Sequence, residues 1–137
     1  MDNDQIKIYN YIIPGQAEQI TGIINELLQI LESVDHNISD IEFRLEIAAR
    51  EMFANGIEYG CKSPDDQIVV EFWIEKDKIV LIVEDPGEGF NWQESNFEIE
   101  PVLDERGRGL KMINKVSDKI EFNEEGNLIK ITFLGGK

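Results

Sequence analysis

The sequence predicts an α+β fold, a two-layer sandwich with helices on one face of a mixed, mostly antiparallel sheet. Three observations predict it. Two pairs of β-favouring runs are each joined by a short polar turn: Ile68 to Ile74 with Ile79 to Val83, and Lys119 to Phe122 with Leu128 to Leu134. Two helical patterns follow one another between strands, the first over Gln16 to Val34 and the second ending near Gly60. The resulting order, β-α-α-β-β-loop-α-β-β, lacks βαβ alternation. There is also no G-x-x-x-x-G-K-[ST] run, so neither a P-loop nor a Rossmann site is expected.

Taken in order, Ile6 to Ile13 is apolar and β-favouring, and Pro14-Gly15 stops it. At a sheet edge this strand would be available to pair with a second chain. Ala17, Ile20, Ile24, Leu27, Leu28 and Leu31 then keep the spacing of an amphipathic helix. His36 falls in the linker that follows and reads as a solvated loop residue. Ser39 or Asp40 is placed to cap the second helix, whose apolar stripe runs through Ile41, Leu45, Ala48 and Met52. Ile68, Val70, Phe72 and Ile74 alternate with Val69, Glu71, Trp73 and Glu75, which predicts a strand with one buried face. Ile79 to Val83 is apolar throughout, as an interior strand covered on both sides would be. Phe90 to Arg106 has no period and is acidic; a loop of that length in a small domain is expected to be functional or mobile. Gly109 to Val116 reads as a short helix, and residues 1–137 as one domain.

Composition narrows the function. With 42% hydrophobic and 30% charged residues, the 137-residue chain is ordinary globular material. No run nears the ~18 apolar residues of a membrane span. The acidic start Met1-Asp2-Asn3-Asp4 does not read as a secretory signal. Cys61 is alone, so no internal disulfide forms, and a reducing cytoplasm is the expected compartment. Asp and Glu number 28 against 13 Lys and Arg, a net charge of −15. That field repels phosphate backbones and anionic lipids, which argues against nucleic acid or membrane as partner. The local exception is Arg106, Arg108, Lys111 and Lys115, just after the acidic run Glu94 to Glu105.

Three short stretches can carry chemistry. Glu51 and Asn55, four apart on a helix, stack on one face a turn apart. Asn offers a neutral oxygen suited to Mg²⁺, and Glu can take a proton from a hydroxyl or water. Alone, the pair is weaker evidence than a plain solvated helix face. Asp85 ends an apolar strand in the parity of Ile79, Leu81 and Val83; a carboxylate there must find donors, and the exocyclic amine of adenine is one. Gly87 and Gly89 allow close backbone approach to a ligand, although Asp-Pro-Gly is also a common turn. Finally, Arg106-Gly107-Arg108-Gly109-Leu110 places glycines and positive charge ahead of a helix, a natural phosphate site. A flexible linker before a capped helix is the plainer reading of that run.

The order of these motifs resembles the histidine-kinase-like ATPase superfamily: Glu-x-x-x-Asn on a helix, Asp-x-Gly-x-Gly after a strand, a loop, then Gly-x-Gly at a helix. The resemblance spans roughly Phe43 to Phe133, and Arg-Gly-Arg-Gly-Leu-Lys-Met-Ile is similar to the anti-sigma-factor serine kinases. It implies the Bergerat ATP-binding fold, with ATP and Mg²⁺ as cofactors. Asn55 would hold the Mg²⁺ that bridges the phosphates, and Glu51 would be the general base. Asp85 would read the adenine amine, with Gly87 and Gly89 shaping the adenine and ribose pocket. Gly107 and Gly109 would hinge a lid over about residues 90–108 and offer amides to the phosphates, with Arg108 adding charge. Three positions depart from the family's pattern. Tyr59 stands where N-x-x-x-H-G has His, and Gly126-Asn127 stands where the last hairpin often has Gly-Thr. Asn127 would still reach the bound nucleotide there by a hydrogen bond through water. The third departure is the strong acidity of the lid, which suits partner recognition.

The leading expectation is therefore an ATP-dependent protein serine/threonine kinase of the anti-sigma type, phosphorylating a small antagonist and sequestering a sigma factor or similar target. A homodimer is what the family suggests. The other expectation is a non-catalytic ATP-sensing module whose lid regulates a partner. Both need Asn55; only the kinase needs Glu51. Hydrolysis-driven dimer closure is disfavoured for want of a second domain to move.

Overall fold

The computed structural model describes residues 6–89 and 105–136. Strand β1 (Lys7–Pro14) leads through a 3₁₀ turn (Ala17–Gln19) into helix α1 (Ile20–Glu32). Helix α2 (Ile41–Asn55) runs without a break into a π-helical turn (Gly56–Gly60). Strands β2 (Gln67–Ile74) and β3 (Lys78–Glu84), helix α3 (Glu105–Val116), and strands β4 (Lys119–Phe122) and β5 (Leu128–Leu134) complete the order. The sheet order is β1-β2-β3-β5-β4. The expected α+β sandwich is present. Among the described residues all four strand pairings are antiparallel, in line with the mostly antiparallel sheet expected.

Sequence periodicity decides which face is buried. In β2, Ile68, Val70, Phe72 and Ile74 are all 2% exposed or less, while Val69 on the opposite face is 40% exposed. The expected interior strand, β3, is central in the sheet, and Ile79, Val80, Leu81 and Val83 are buried. Against the buried face pack the stripe of α1 (Ile20, Ile23, Ile24, Leu27, Leu31), that of α2 (Ile41, Leu45, Ala48, Met52, Phe53), and Leu110 and Ile113 of α3. Burial on the scale of about 1.5–3 kcal/mol per large apolar side chain makes this layer the main source of stability. Strand β1 is an edge strand, as expected, and carries exposed Ile8 and Ile12 on the sheet's outer face. Among the described residues no helix is long and apolar enough to cross a membrane.

Two helix boundaries differ from expectation. Asp40 takes the N-cap position of α2 in the left-handed region (φ 53°), but its side chain makes no capping bond. And α3 begins at Glu105 rather than Gly109, so Gly107 and Gly109 lie inside its first turns instead of ahead of it. The end of the expected lid, 105–108, is therefore helix; its remainder, 90–104, lies outside the described residues.

Arg44 explains how the start of α2 is held without a side-chain cap. Its backbone N–H donates to the Asp40 carbonyl at 3.0 Å. Its guanidinium donates to the carbonyls of Val116 (2.8 Å) and Ser39 (3.1 Å) and to Asp118 Oδ2 (3.0 Å), and lies 5.1 Å from the centre of the Phe133 ring. Asp118 Oδ2 also accepts the Leu134 N–H at 2.7 Å. One side chain thus ties the start of α2 to the end of α3, supplies a partner to a helix-end carbonyl, and reaches β5. Replacing it (Arg44→Met) is expected to lower stability by about 1–3 kcal/mol, the cost of orphaning half-buried acceptors. Urea unfolding should show a lower midpoint at unchanged slope; an unchanged midpoint would show the cluster to be ornamental.

Candidate functional site

Spacing on α2 puts Glu51, Ala54, Asn55 and, in the π turn, Glu58 on one side. With Arg108, Gly109 and Met112 of α3 they line a hollow of about 420 Å³, within the range of small-molecule sites. Asn55 is only 7% exposed. Its Nδ2 is the one buried side-chain nitrogen or oxygen among the described residues that lacks a hydrogen-bond partner. Leaving such a group unsatisfied costs about 1–3 kcal/mol, so its position in a hollow marks a place for a polar ligand.

Gly109 is what lets the two helices meet here. A Cβ at this position would lie 2.7 Å from Glu51 Oε1 and 3.5 Å from Asn55 Nδ2. Its contribution is room beside the Glu51–Asn55 pair. Its amide falls within helix α3, four residues after the first helical position. Gly107 sits in the first turn of α3 and is not among the described residues that line the hollow. A second hollow of about 360 Å³, lined by Arg108, Lys111, Met112 and Lys115, shares Arg108 and Met112 with the first. Of the basic residues singled out in the sequence, Arg108 therefore shares a hollow with the Glu51–Asn55 pair, Lys111 and Lys115 line the second hollow, and the side chain of Arg106 lies outside the described residues.

Asp85 is placed by the π turn. That turn is one residue wider than an α-turn and sets Gly56 and Gly60 against Asp85; π-turns of this kind recur at functional sites. A Cβ on Gly60 would overlap the Asp85 carboxyl, and one on Gly56 would sit 3.5 Å from Asp85 Cβ. The carboxyl thus rests on two glycine surfaces, with Oδ1 accepting the Gly87 N–H at 2.8 Å. Gly87 in turn packs on Gly60, since a Cβ there would lie 2.7 Å from the Gly60 Cα. Gly89, at φ 80°, backs onto the last hairpin, and a side chain there would overlap the Glu125 carbonyl. Tyr59, in the position where the family's pattern has His, is 37% exposed; it is Gly60 that touches Asp85.

Asn127 is bonded into the Asp85 turn. Its Nδ2 donates to the carbonyls of Asp85 and Gly87, each at 3.2 Å, and its Oδ1 accepts from Asn123 Nδ2 at 2.7 Å. Both amide hydrogens are committed to the Asp85 turn. Behind the same turn, burial pushes the Cys61 thiol above its ordinary range, and the nearby Asp66 and Asp85 carboxylates push it further. Cys61 is accordingly a protonated packing residue.

Sequence reasoning thus named Glu51, Asn55, Arg108 and Gly109, which the structure brings around one hollow. It also named Asp85, Gly87, Gly89 and Asn127, which form a second cluster at the strand end. It missed Gly56, Gly60, Asn123 and Met112 as members of the site. Gly60 had a visible signal, the final Gly of N-x-x-x-H-G, but the sequence reading took it only as a helix stop.

A helix-borne Glu–Asn pair joined by one turn to a glycine-cradled Asp matches a known domain. The model of the histidine kinase-like ATPase domain matches residues 13–133. The chain belongs to this family. Among curated relatives, a Serine-protein kinase RsbW from Staphylococcus aureus (strain bovine RF122) is 25% identical over 131 residues, covering 88% of this chain and 82% of its own. A second Serine-protein kinase RsbW, from Bacillus mycoides (strain KBAB4), is 26% identical over 129 residues, covering 88% of this chain and 80% of its own. Membership of the histidine kinase-like ATPase family implies that the domain binds ATP.

Proposed function

We propose that this member of the histidine kinase-like ATPase family is an ATP-dependent protein serine/threonine kinase of the anti-sigma type. It would phosphorylate a small antagonist protein and sequester a sigma factor or similar target. The observation that carries the reading is the convergence of Glu51, Asn55 and Arg108 on one hollow, with the buried Asn55 Nδ2 short of an acceptor such as a phosphate oxygen.

The residues fit Mg²⁺ as an auxiliary of bound nucleotide. Among the described residues there is no cluster of three or more Asp, Glu, His or Cys side chains able to cage a metal. A single neutral amide is nevertheless what Mg²⁺ accepts when phosphates and waters supply its other ligands. Bound there, Mg²⁺ would neutralise phosphate charge. Glu51 would take the proton of the acceptor hydroxyl as its oxygen attacks the γ-phosphorus and the bond to the β-phosphate breaks, releasing ADP. Arg108 would add positive charge beside the phosphates. For this chemistry, position and electrostatics do most of the catalysis. The exposed apolar edge strand β1 supports a homodimer, and lone Cys61 supports a reducing, cytoplasmic setting.

Calorimetry with ADP in the presence and absence of Mg²⁺ tests the site. The wild type should bind in a Mg²⁺-dependent manner. Asn55→Ala should lose affinity on the order of a hundredfold or more, as removal of a metal ligand does at the least. Equal affinity in wild type and Asn55→Ala removes Asn55 from the site. Nucleotide binding in this assay, with no transfer of the γ-phosphoryl group when ATP is supplied with any co-purified protein, would favour the ATP-sensing module instead.

A further inference from the structure

The hairpin turn between β4 and β5 is built to hold another turn. Asn123 Oδ1 accepts three successive backbone amides, those of Gly126 (2.8 Å), Asn127 (3.1 Å) and Leu128 (3.2 Å). Its Nδ2 donates to Asn127 Oδ1. This orients the Asn127 amide so that both its hydrogens reach the carbonyls of Asp85 and Gly87, 42 and 40 residues away in sequence. The Asp85 N–H returns a bond to the Asn127 carbonyl at 2.9 Å. The Asp-Pro-Gly turn is therefore gripped from one side by Asn127, while Gly56 and Gly60 set the position of its carboxyl from the other.

An amide has two N–H donors. With both spent on the turn, Asn127 has no donor left for a base. Its leverage lies in where it holds Asp85. A carboxylate tells an exocyclic amine from a carbonyl oxygen only if its own oxygen stays at the right place, because the wrong partner leaves a buried group unpaired. Releasing the grip lets Asp85 drift and blunts that choice.

We propose that Asn127, keyed by Asn123, is a positioning residue that makes Asp85 selective for an amino-purine without itself touching the nucleotide. This rests on the reading of the site as an ATP site, and the experiment separates the two. Mg·ADP and Mg·IDP, which differ by an exocyclic amine against a carbonyl oxygen, are titrated into wild type, Asn127→Ala, Asn127→Thr, Asp85→Asn and the Asn127→Ala/Asp85→Asn double variant. Thermal melting confirms that each is folded, and Asn127→Thr, which retains one donor, serves if Asn127→Ala is not. The wild type should prefer ADP. Asn127→Ala should weaken ADP on the order of tenfold, one hydrogen bond's worth, and leave IDP nearly unchanged, so the preference collapses. Asn127→Thr should fall between. In the Asp85→Asn background Asn127→Ala should add no further loss, since residues acting through one another are not additive. A general structural weakening would lower both nucleotides alike and add to Asp85→Asn, and that result overturns the positioning role. An unchanged ADP preference in Asn127→Ala overturns it as well. A wild type that binds neither nucleotide overturns the ATP reading and takes this proposal with it.

Discussion

Glu51→Gln should abolish most phosphoryl transfer while leaving nucleotide affinity within about twofold. General-base catalysis contributes about 10²–10⁴-fold, and Gln keeps the shape and hydrogen-bonding span of Glu but cannot take the proton. Glu51 lines the same hollow as Asn55, and its carboxyl lies against the space Gly109 leaves open. An isosteric change should not disturb that packing, and melting temperature should stay level. The measurement is transfer of labelled γ-phosphate to the acceptor beside ADP calorimetry. Transfer at the wild-type rate would remove Glu51 from the base role and favour a sensing module, which could dispense with it.

The second large effect is at a residue with no chemistry of its own. Gly60→Ala should destroy nucleotide binding, because its new methyl group overlaps the Asp85 carboxyl. The overlap cannot be relieved cheaply on either side: Gly87 packs on the Gly60 Cα, and the Asp85 turn is hydrogen-bonded to Asn127. We expect overpacking to cost about 1–3 kcal/mol of stability and ADP affinity to fall beyond detection. Gly22→Ala supplies the contrast. In α1, with nothing within 4 Å of its Cβ, it should gain about 0.4–1 kcal/mol from a less mobile unfolded chain. If Gly60→Ala bound ADP as well as Gly22→Ala does, the contact at Gly60 would have no functional meaning.

These residues also mark where the sequence was readable. Alternation in Ile68 to Ile74 and the apolar run of Ile79 to Val83 reflect which groups meet water, so strand faces and the central position of β3 were legible. The Glu51–Asn55 face followed from the period of one helix. The start of α3 was not legible, because glycines usually interrupt helices and the residues before Gly109 are polar and charged without a period. Nor was the π turn, since Gly56-Ile57-Glu58-Tyr59-Gly60 carries no feature separating a wide turn from an α-helix that stops. Asn127 was placed near the right loop for another reason than the one observed. Its two bonds span 42 and 40 residues of sequence, and pairing of that kind is set by the sheet register of β3 and β5, which local pattern does not reveal.

The wide turn after Asn55 has a consequence for how such a protein tolerates insertions and deletions. Each α-helical residue advances the chain by about 100°, so removing Ile57 or Tyr59 would leave Glu51, Asn55, Glu58 and Asp85 in the sequence. Yet Gly60 would point elsewhere, and Asp85 would meet a side chain or a void. The five positions of Gly56–Gly60 thus act as a phase setting between the two halves of the candidate site. Their number is under a constraint as tight as the identity of any residue in them.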